Sequence, residues 1–254
     1  RFKYMEKIYE IVFSPTGRSK KVAGYIAENF KGKKILLDLC KASTERISVD
    51  NDSLCIFSAP CYGGRVPITA EERLMNIHGN NTSAIVCITF GNRAFEDSLL
   101  ELSDLAEKNG FKVIGAAAVS TEHNIMHIFG KGRPDEQDKM QIKEFAASAA
   151  EKLMSHNYKK PDIPGSRPYK ERHRSSINIM VDEGTCVCCG MCALKCPVGA
   201  ISKDGRKTDK EICIGCMRCI EICRSRSIPK EYVDALIDRL GDACQGRKEN
   251  SFFL

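Results

Sequence analysis

The sequence has no tryptophan, and aromatic residues make up only 7% of its 254 positions. Any ring stacking must therefore come from a tyrosine or a phenylalanine. No apolar run reaches the roughly 20 residues that span a bilayer, and the first ten residues lack the apolar core of a secretory leader. Also missing are a GxxxxGK[ST] loop, a GxGxxG turn after any strand-like run, a Ser/His/Asp arrangement and a paired-carboxylate signature. These absences argue against a nucleoside triphosphatase, a dinucleotide fold and a hydrolase. There is no DNA-binding motif and no solenoid repeat. The expectation is a cytoplasmic protein with no membrane span and no nucleic-acid partner.

What is abundant is cysteine. Hydrophobic (43%) and charged (28%) fractions are ordinary for a globular chain. Fourteen cysteines are not, and eight of them fall in two runs between Cys186 and Cys223. A secreted disulfide framework would spread them through a small domain, so a dense patch after a cysteine-poor half reads as metal ligation. The net charge of +6 is weak evidence for nucleic acid, because metal-bound thiolates would offset it.

Apolar, β-branched runs alternate with helical patterns through the first half, which predicts a parallel sheet covered by helices. Strands are expected near 7–13, 34–39, 54–59, 84–90 and 112–119, with helices near 19–30, 70–77, 95–109 and 135–157. Leu99, Leu100, Leu102, Leu105 and Ala106 form an apolar stripe, and Gly110 follows as a C-cap. Such a doubly wound sheet binds its ligand beyond the carboxyl ends of the strands. The expected domains are 1–157, a linker over 158–176, a cysteine-rich domain over 177–228, and a helix and tail over 229–254. The linker has little apolar content, contains Pro161, Pro164 and Pro168, and reads as a basic, solvated tether that could also dock an acidic redox partner. Residues 177–181 suggest a short strand, KDGRKTD (203–209) a hairpin, and Tyr232, Val233, Leu236, Ile237 and Leu240 an amphipathic helix.

Cys186, Cys189, Cys192 and Cys196, followed by Pro197, spell CxxCxxCxxxCP. Cys213, Cys216, Cys219 and Cys223 repeat the spacing without the proline. Three thiolates at this spacing hold three corners of an iron–sulfur cubane, while the fourth cysteine is directed to the neighbouring cluster. The ligand sets are then crossed: Cys186, Cys189, Cys192 and Cys223 for one [4Fe–4S] cluster, Cys213, Cys216, Cys219 and Cys196 for a second. The rival reading is a pair of zinc knots. This stretch resembles the bacterial-type two-cluster ferredoxins, departing from them at Arg224, where that family often has proline. Cys188, off the spacing, reads as a small buried hydrophobe, or else as a substitute ligand. Cys40, Cys55 and Cys87 read as core, Cys61 as a loop thiol with a redox role open to it, and Cys244 as an incidental thiol.

After the first strand, Ser14, Pro15, Thr16, Gly17, Arg18 and Ser19 lead directly into a helix. Hydroxyls and backbone N–H groups at a helix start form an anion cradle, although an ordinary capped helix start fits as well. FSPTGRSKKVA is similar to the FMN phosphate loop of flavodoxins, with Arg18 in place of a common asparagine. The segments 59–67, 89–102 and 119–124 fall after the third, fourth and fifth strands, and the whole chain resembles flavodoxin–ferredoxin fusion proteins. That resemblance implies a flavodoxin-like five-stranded α/β domain, then a small α+β two-cluster domain. It further implies FMN contacts from Ser14, Thr16, Gly17, Arg18 and Ser19. Pro60, Cys61, Tyr62, Gly63, Gly64, Phe90, Gly91, Asn92 and Phe95 join them, with Tyr62 or Phe95 stacking on the flavin. His123 reads as a hydrogen-bonded loop histidine, with approach to the flavin as its rival role.

Clusters pass single electrons and flavins accept one or two. The expected function is an electron-transfer iron–sulfur flavoprotein with two [4Fe–4S] clusters and FMN, working between redox protein partners. A terminal flavin-dependent reductase of a small acceptor and a redox-sensing interaction module are the alternatives.

Overall fold

The computed structural model describes residues 4–43, 45–155, 159–173 and 177–254. In chain order the first half holds β1 (Tyr4–Val12), α1 (Arg18–Ala27), β2 (Lys31–Asp38), β3 (Ile47–Val49), β4 (Leu54–Pro60) and α2 (Ile68–Leu74). It continues with β5 (Ile77–Gly79), β6 (Thr82–Phe90), α3 (Ser98–Lys108), β7 (Phe111–Ser120) and α4 (Glu136–Ser155). Sheet order is β2-β1-β4-β6-β7, all parallel. With the short β3–β5 pair set aside, this is the 2-1-3-4-5 order of the flavodoxin-like fold.

The central strands show why the chain folds this way. Every residue of β6 is buried, and so is every residue of β4 except Pro60, as strands covered on both faces require. Side-chain alternation then splits the core in two. Cys55, Phe57 and Ala59 of β4 face Ala70 and Leu74 of α2 and Leu99, Leu102 and Leu105 of α3. Leu54 and Ile56 face Val22 and Ile26 of α1 and Ile142 and Phe145 of α4. Truncating a fully buried Leu or Ile here to Ala costs about 2–5 kcal/mol.

The second half holds β8 (Met180–Val181), α5 (Met191–Leu194), α6 (Arg218–Glu221), β9 (Arg226–Ser227), α7 (Lys230–Cys244) and β10 (Ser251–Phe253). β8 pairs with β9 antiparallel, and Ile201 bridges Thr208 in the expected hairpin. The internal duplication extends to the backbone. Cys189 is flanked by left-handed Cys188 (φ 54°) and Gly190 (φ 69°), and Cys216 by left-handed Gly215 (φ 62°) and Met217 (φ 62°).

Three expectations are corrected. Residues 159–173 form no helix or strand, yet they are not a solvated tether. Ile163 is buried in the α2–α3 side of the core, Arg167 pairs with Asp104 at 2.7 Å, and the backbone N–H groups of Ser166 and Lys170 donate to Asp97. Tyr169 also donates to Asp104, and Arg172 pairs with Glu71 and Glu101. Prolines prevent regular structure but leave these side chains able to dock. Cys244 is fully buried, packed with Met126, Phe129 and Leu236 where α7 lies on the loop after β7. Beyond it the chain returns to the first domain, where β10 adds an antiparallel edge strand on Ala116–Ala118 of β7. Cys188, finally, is exposed, and its Sγ accepts from Arg206 Nε at 3.1 Å.

Candidate flavin pocket and cysteine chamber

Loops at the carboxyl ends of β1, β4, β6 and β7 enclose one concavity. Its wall includes Pro15, Thr16, Arg18, Ser19, Pro60, Cys61, Tyr62 and Gly91, and also Thr89, Thr121, Glu122 and Asn124. Between Thr16 and Arg18 of that wall, Gly17 is left-handed (φ 84°) and is the N-cap of α1; it offers no side chain to cap the helix, and no acid sits in the first turn. The positive end of the dipole is thus left facing the pocket, as an anion site needs. Ser14 Oγ accepts from Lys20 N at 3.0 Å, which braces the loop. Ser19 Oγ meets Thr89 Oγ1 at 2.7 Å, and Ser58 Oγ donates to Ser19 O.

Tyr62 is presented by a tight turn. Its N–H and carbonyl exchange hydrogen bonds with Arg65 while Gly63 (φ 60°) and Gly64 (φ 91°) take the two positive-φ central positions of a type I′ turn. A Cβ on Gly64 would collide with the Glu96 carboxylate. Gly63 and Gly64 thus shape the loop, and Tyr62 is the residue the loop delivers to the pocket. Burial pushes the Tyr62 phenol well above its ordinary range, the Cys216 and Cys40 thiols add to that push, and Arg18 opposes it.

Not every expected residue reaches the concavity. Phe90 is core, and Phe95 packs against it with ring centroids 5.7 Å apart. Asn92 is 2% exposed and turns away to the tail. Burial raises the Cys61 thiol, whose Sγ lies 3.6 Å from Phe95 O, so a reactive thiolate is disfavoured. His123 Nδ1 accepts from Ile125 and Met126 N–H groups at 3.1 and 3.0 Å, and burial lowers its pKa to about 4. It is a neutral loop anchor. Thr89, Thr121, Glu122 and Asn124 lay inside segments flagged by the sequence, but only the strand ends mark which of their side chains turn inward.

A second concavity is lined by Cys196, Cys213, Cys216 and Cys219 together with Ile179, Val198, Ile201 and Met217, and encloses about 350 Å³ with its mouth. Burial pushes the Cys216 thiol up to about 12, and its neighbours Cys196, Cys219 and Cys213 push the same way. Ionising these thiols would need positive charge among them. Among the described residues no three His, Cys, Asp or Glu side chains group tightly enough to hold a single metal ion. The four thiols line one chamber, a donor set of the kind that holds an iron–sulfur cluster. The other quartet lies outside that lining. Asp182 N donates to Ser225 O at 2.8 Å, bringing the Cys186 and Cys223 turns side by side, with Cys189 exposed and Cys192 buried.

Three contacts fasten the cysteine-rich segment to the sheet and its loops. Arg18 of the loop after β1 pairs with Glu221 of α6 at 3.0 Å, Ile214 packs on the α2–α3 side of the core, and Arg73 donates to the Pro197 carbonyl.

The chain joins a flavodoxin-like sheet to a ferredoxin-like cysteine segment. A stretch of 54 residues on the C-terminal side is 37% identical to an uncharacterized ferredoxin of Methanocaldococcus jannaschii, covering 19% of this chain and 36% of that protein. The match thus spans about a third of its relative's length. No protein-family model matches. Solved structures similar to the chain include rubredoxin oxygen:oxidoreductase of Desulfovibrio gigas, at 18% identity and a TM-score of 0.44, covering 60% of this chain and 37% of that one. Oxidised flavodoxin 2 of Bacillus cereus gives 13% and 0.42, covering 58% and 99%. A flavodoxin from the domain Archaea gives 12% and 0.36, covering 59% and 99%. Among the described residues no helix is long and apolar enough to cross a membrane.

Proposed function

We propose that this protein is an electron-transfer iron–sulfur flavoprotein, relaying electrons between two [4Fe–4S] clusters and FMN on behalf of redox protein partners. The single observation that carries the reading is a contact between the two parts: Arg18 in the wall of the loop pocket pairs at 3.0 Å with Glu221, two residues beyond Cys219 of the thiol chamber. Bound there, the clusters would supply one-electron carriers and the flavin a one- or two-electron acceptor.

The residues on hand suit both groups. Thr16, Gly17, Arg18 and Ser19 would hold the phosphate, and Tyr62 would lie against the ring. Cys196, Cys213, Cys216 and Cys219 would hold the inner cluster, with Cys186, Cys189, Cys192 and Cys223 holding the outer one. The cysteine-rich segment would serve as a docked lobe, fastened by residues 159–173 before it and by α7 and β10 after it. Electrons exchanged with a partner would enter or leave at the outer set, because Cys189 is exposed while Cys216 is covered.

Anaerobic purification, iron and flavin determination, and potentiometric titration followed by stopped-flow absorbance test the proposal. The expected result is about eight irons per flavin, with flavin and cluster absorbance changing together inside one molecule. Colourless protein, or cluster and flavin signals that never exchange electrons, would overturn it. Turnover of a small acceptor without a second protein would instead select the reductase alternative.

A further inference from the structure

Arg18 sits where a phosphate loop of this kind commonly has a neutral side chain, and the structure gives it two anionic partners. Its Nη2 pairs with Glu122 on the loop after β7 and its Nη1 with Glu221 on α6, each at 3.0 Å. The Arg18 side chain is 19% exposed and lines the candidate flavin pocket. Glu122 is itself held by His127 Nδ1 at 2.8 Å and by the Gly132 N–H. Glu221 is two residues beyond Cys219, so the same cation touches the wall of the pocket and the lobe that carries the thiol chamber. Two carboxylates and an incoming phosphate would therefore surround one positive charge.

We propose that Arg18 is a positioning residue shared between the phosphate of a bound flavin mononucleotide and Glu221, so that filling the pocket and seating the cysteine-rich lobe are thermodynamically coupled. This rests on the flavin reading given above. The sign follows from charge. Phosphate and Glu221 draw on one guanidinium, so each weakens the other's hold on it. By linkage, a change at Glu221 must appear in FMN affinity, and FMN must change the protection of α6 by the same coupling. Riboflavin, which has the ring but no phosphate, should escape both effects.

The test uses the full chain with its iron content verified, titrated with FMN and with riboflavin by flavin fluorescence. It compares the wild type, Arg18→Gln, Glu221→Gln and the double variant. Arg18→Gln should weaken FMN by about 10- to 100-fold, the range of a charge-assisted hydrogen bond, and leave riboflavin unchanged. Glu221→Gln should tighten FMN severalfold in the wild-type background and have no effect when Arg18 is already Gln. Hydrogen exchange of the Arg218–Glu221 amides should rise on adding FMN to the wild type and stay level in Arg18→Gln. Additive effects of the two substitutions, or an equal loss of riboflavin, would overturn the coupling while leaving the flavin reading intact. A wild type that binds neither flavin would remove both. Should Arg18→Gln fail to fold, the partly exposed Glu221→Gln decides alone through its opposite expectations for FMN and riboflavin.

Discussion

Asn92 donates from its side-chain amide to the carbonyls of Cys244 and Gly246, both at 2.8 Å. Its Oδ1 accepts from Ser120 Oγ at 3.0 Å and from Lys248 N at 3.3 Å. A residue expected beside the flavin is thus the peg that fastens the tail. Arg133, paired with Asp138 at 2.6 Å, adds a bond to the Lys248 carbonyl. Asn92→Ala would leave several buried groups unsatisfied and should lower stability by about 2–3 kcal/mol. Denaturant unfolding measures the loss, and limited proteolysis should show cleavage near residues 245–250; an unchanged midpoint would remove the peg.

Gly64→Ala should be harmful for two reasons. The position has φ 91°, and the new methyl would meet the Glu96 carboxylate. A loss of about 1–3 kcal/mol is expected. Because the same turn presents Tyr62, flavin affinity should fall with it. Calorimetry beside a flavin titration separates the two effects, and an alanine variant with both values intact would show that the turn is not needed.

His123 makes stability depend on pH. Its ordinary pKa of 6.5 is lowered to about 4 in the fold. Protonation therefore favours the unfolded chain: the stabilisation is complete above about pH 6.5 and disappears as pH falls through 4, a contribution of at most about 3 kcal/mol. Chemical denaturation between pH 7 and pH 4 should show that slope in the wild type and a shallower one in His123→Asn. Parallel slopes would assign the acid sensitivity to other groups.

Cys216→Ala removes one wall of the inner thiol chamber. On the proposed ligand sets, iron content should fall by about half, with the outer set retained and flavin reduction by an external ferredoxin slowed. Iron analysis and visible absorbance check this. Full iron content would mean that the cluster ligands are differently assigned.

The sheet was legible because long buried parallel strands write themselves as continuous apolar runs, and both β4 and β6 do so. Helix α3 was legible from its leucine stripe, all of it buried. Shorter elements were not. β3 and β5 are three residues each, and Ile77, read as the end of a helix, instead begins β5, while α2 stops at Leu74. β10 has three residues whose partner is Ala116–Ala118, and no local period signals a pairing that distant. At the site, cysteine spacing singled out eight thiols, and the loop after β1 was singled out and does line a concavity. Spacing could not reveal that Asn92 points away, that Arg18 reaches Glu221, or that Cys188 stands in the solvent, since each depends on how remote segments meet.

Pairing Ser251–Phe253 with Ala116–Ala118 closes a ring of chain that contains every one of the eight cysteines in the two runs. The entropic penalty of closing such a ring grows with the length left loose inside it. On the proposed reading, ordering the intervening stretch around iron–sulfur clusters would shorten that slack, and the last strand would zip onto the sheet more readily once they were built. Assembly of the inorganic half would then be felt, through nothing more than tether statistics, at the far edge of the flavodoxin-like half.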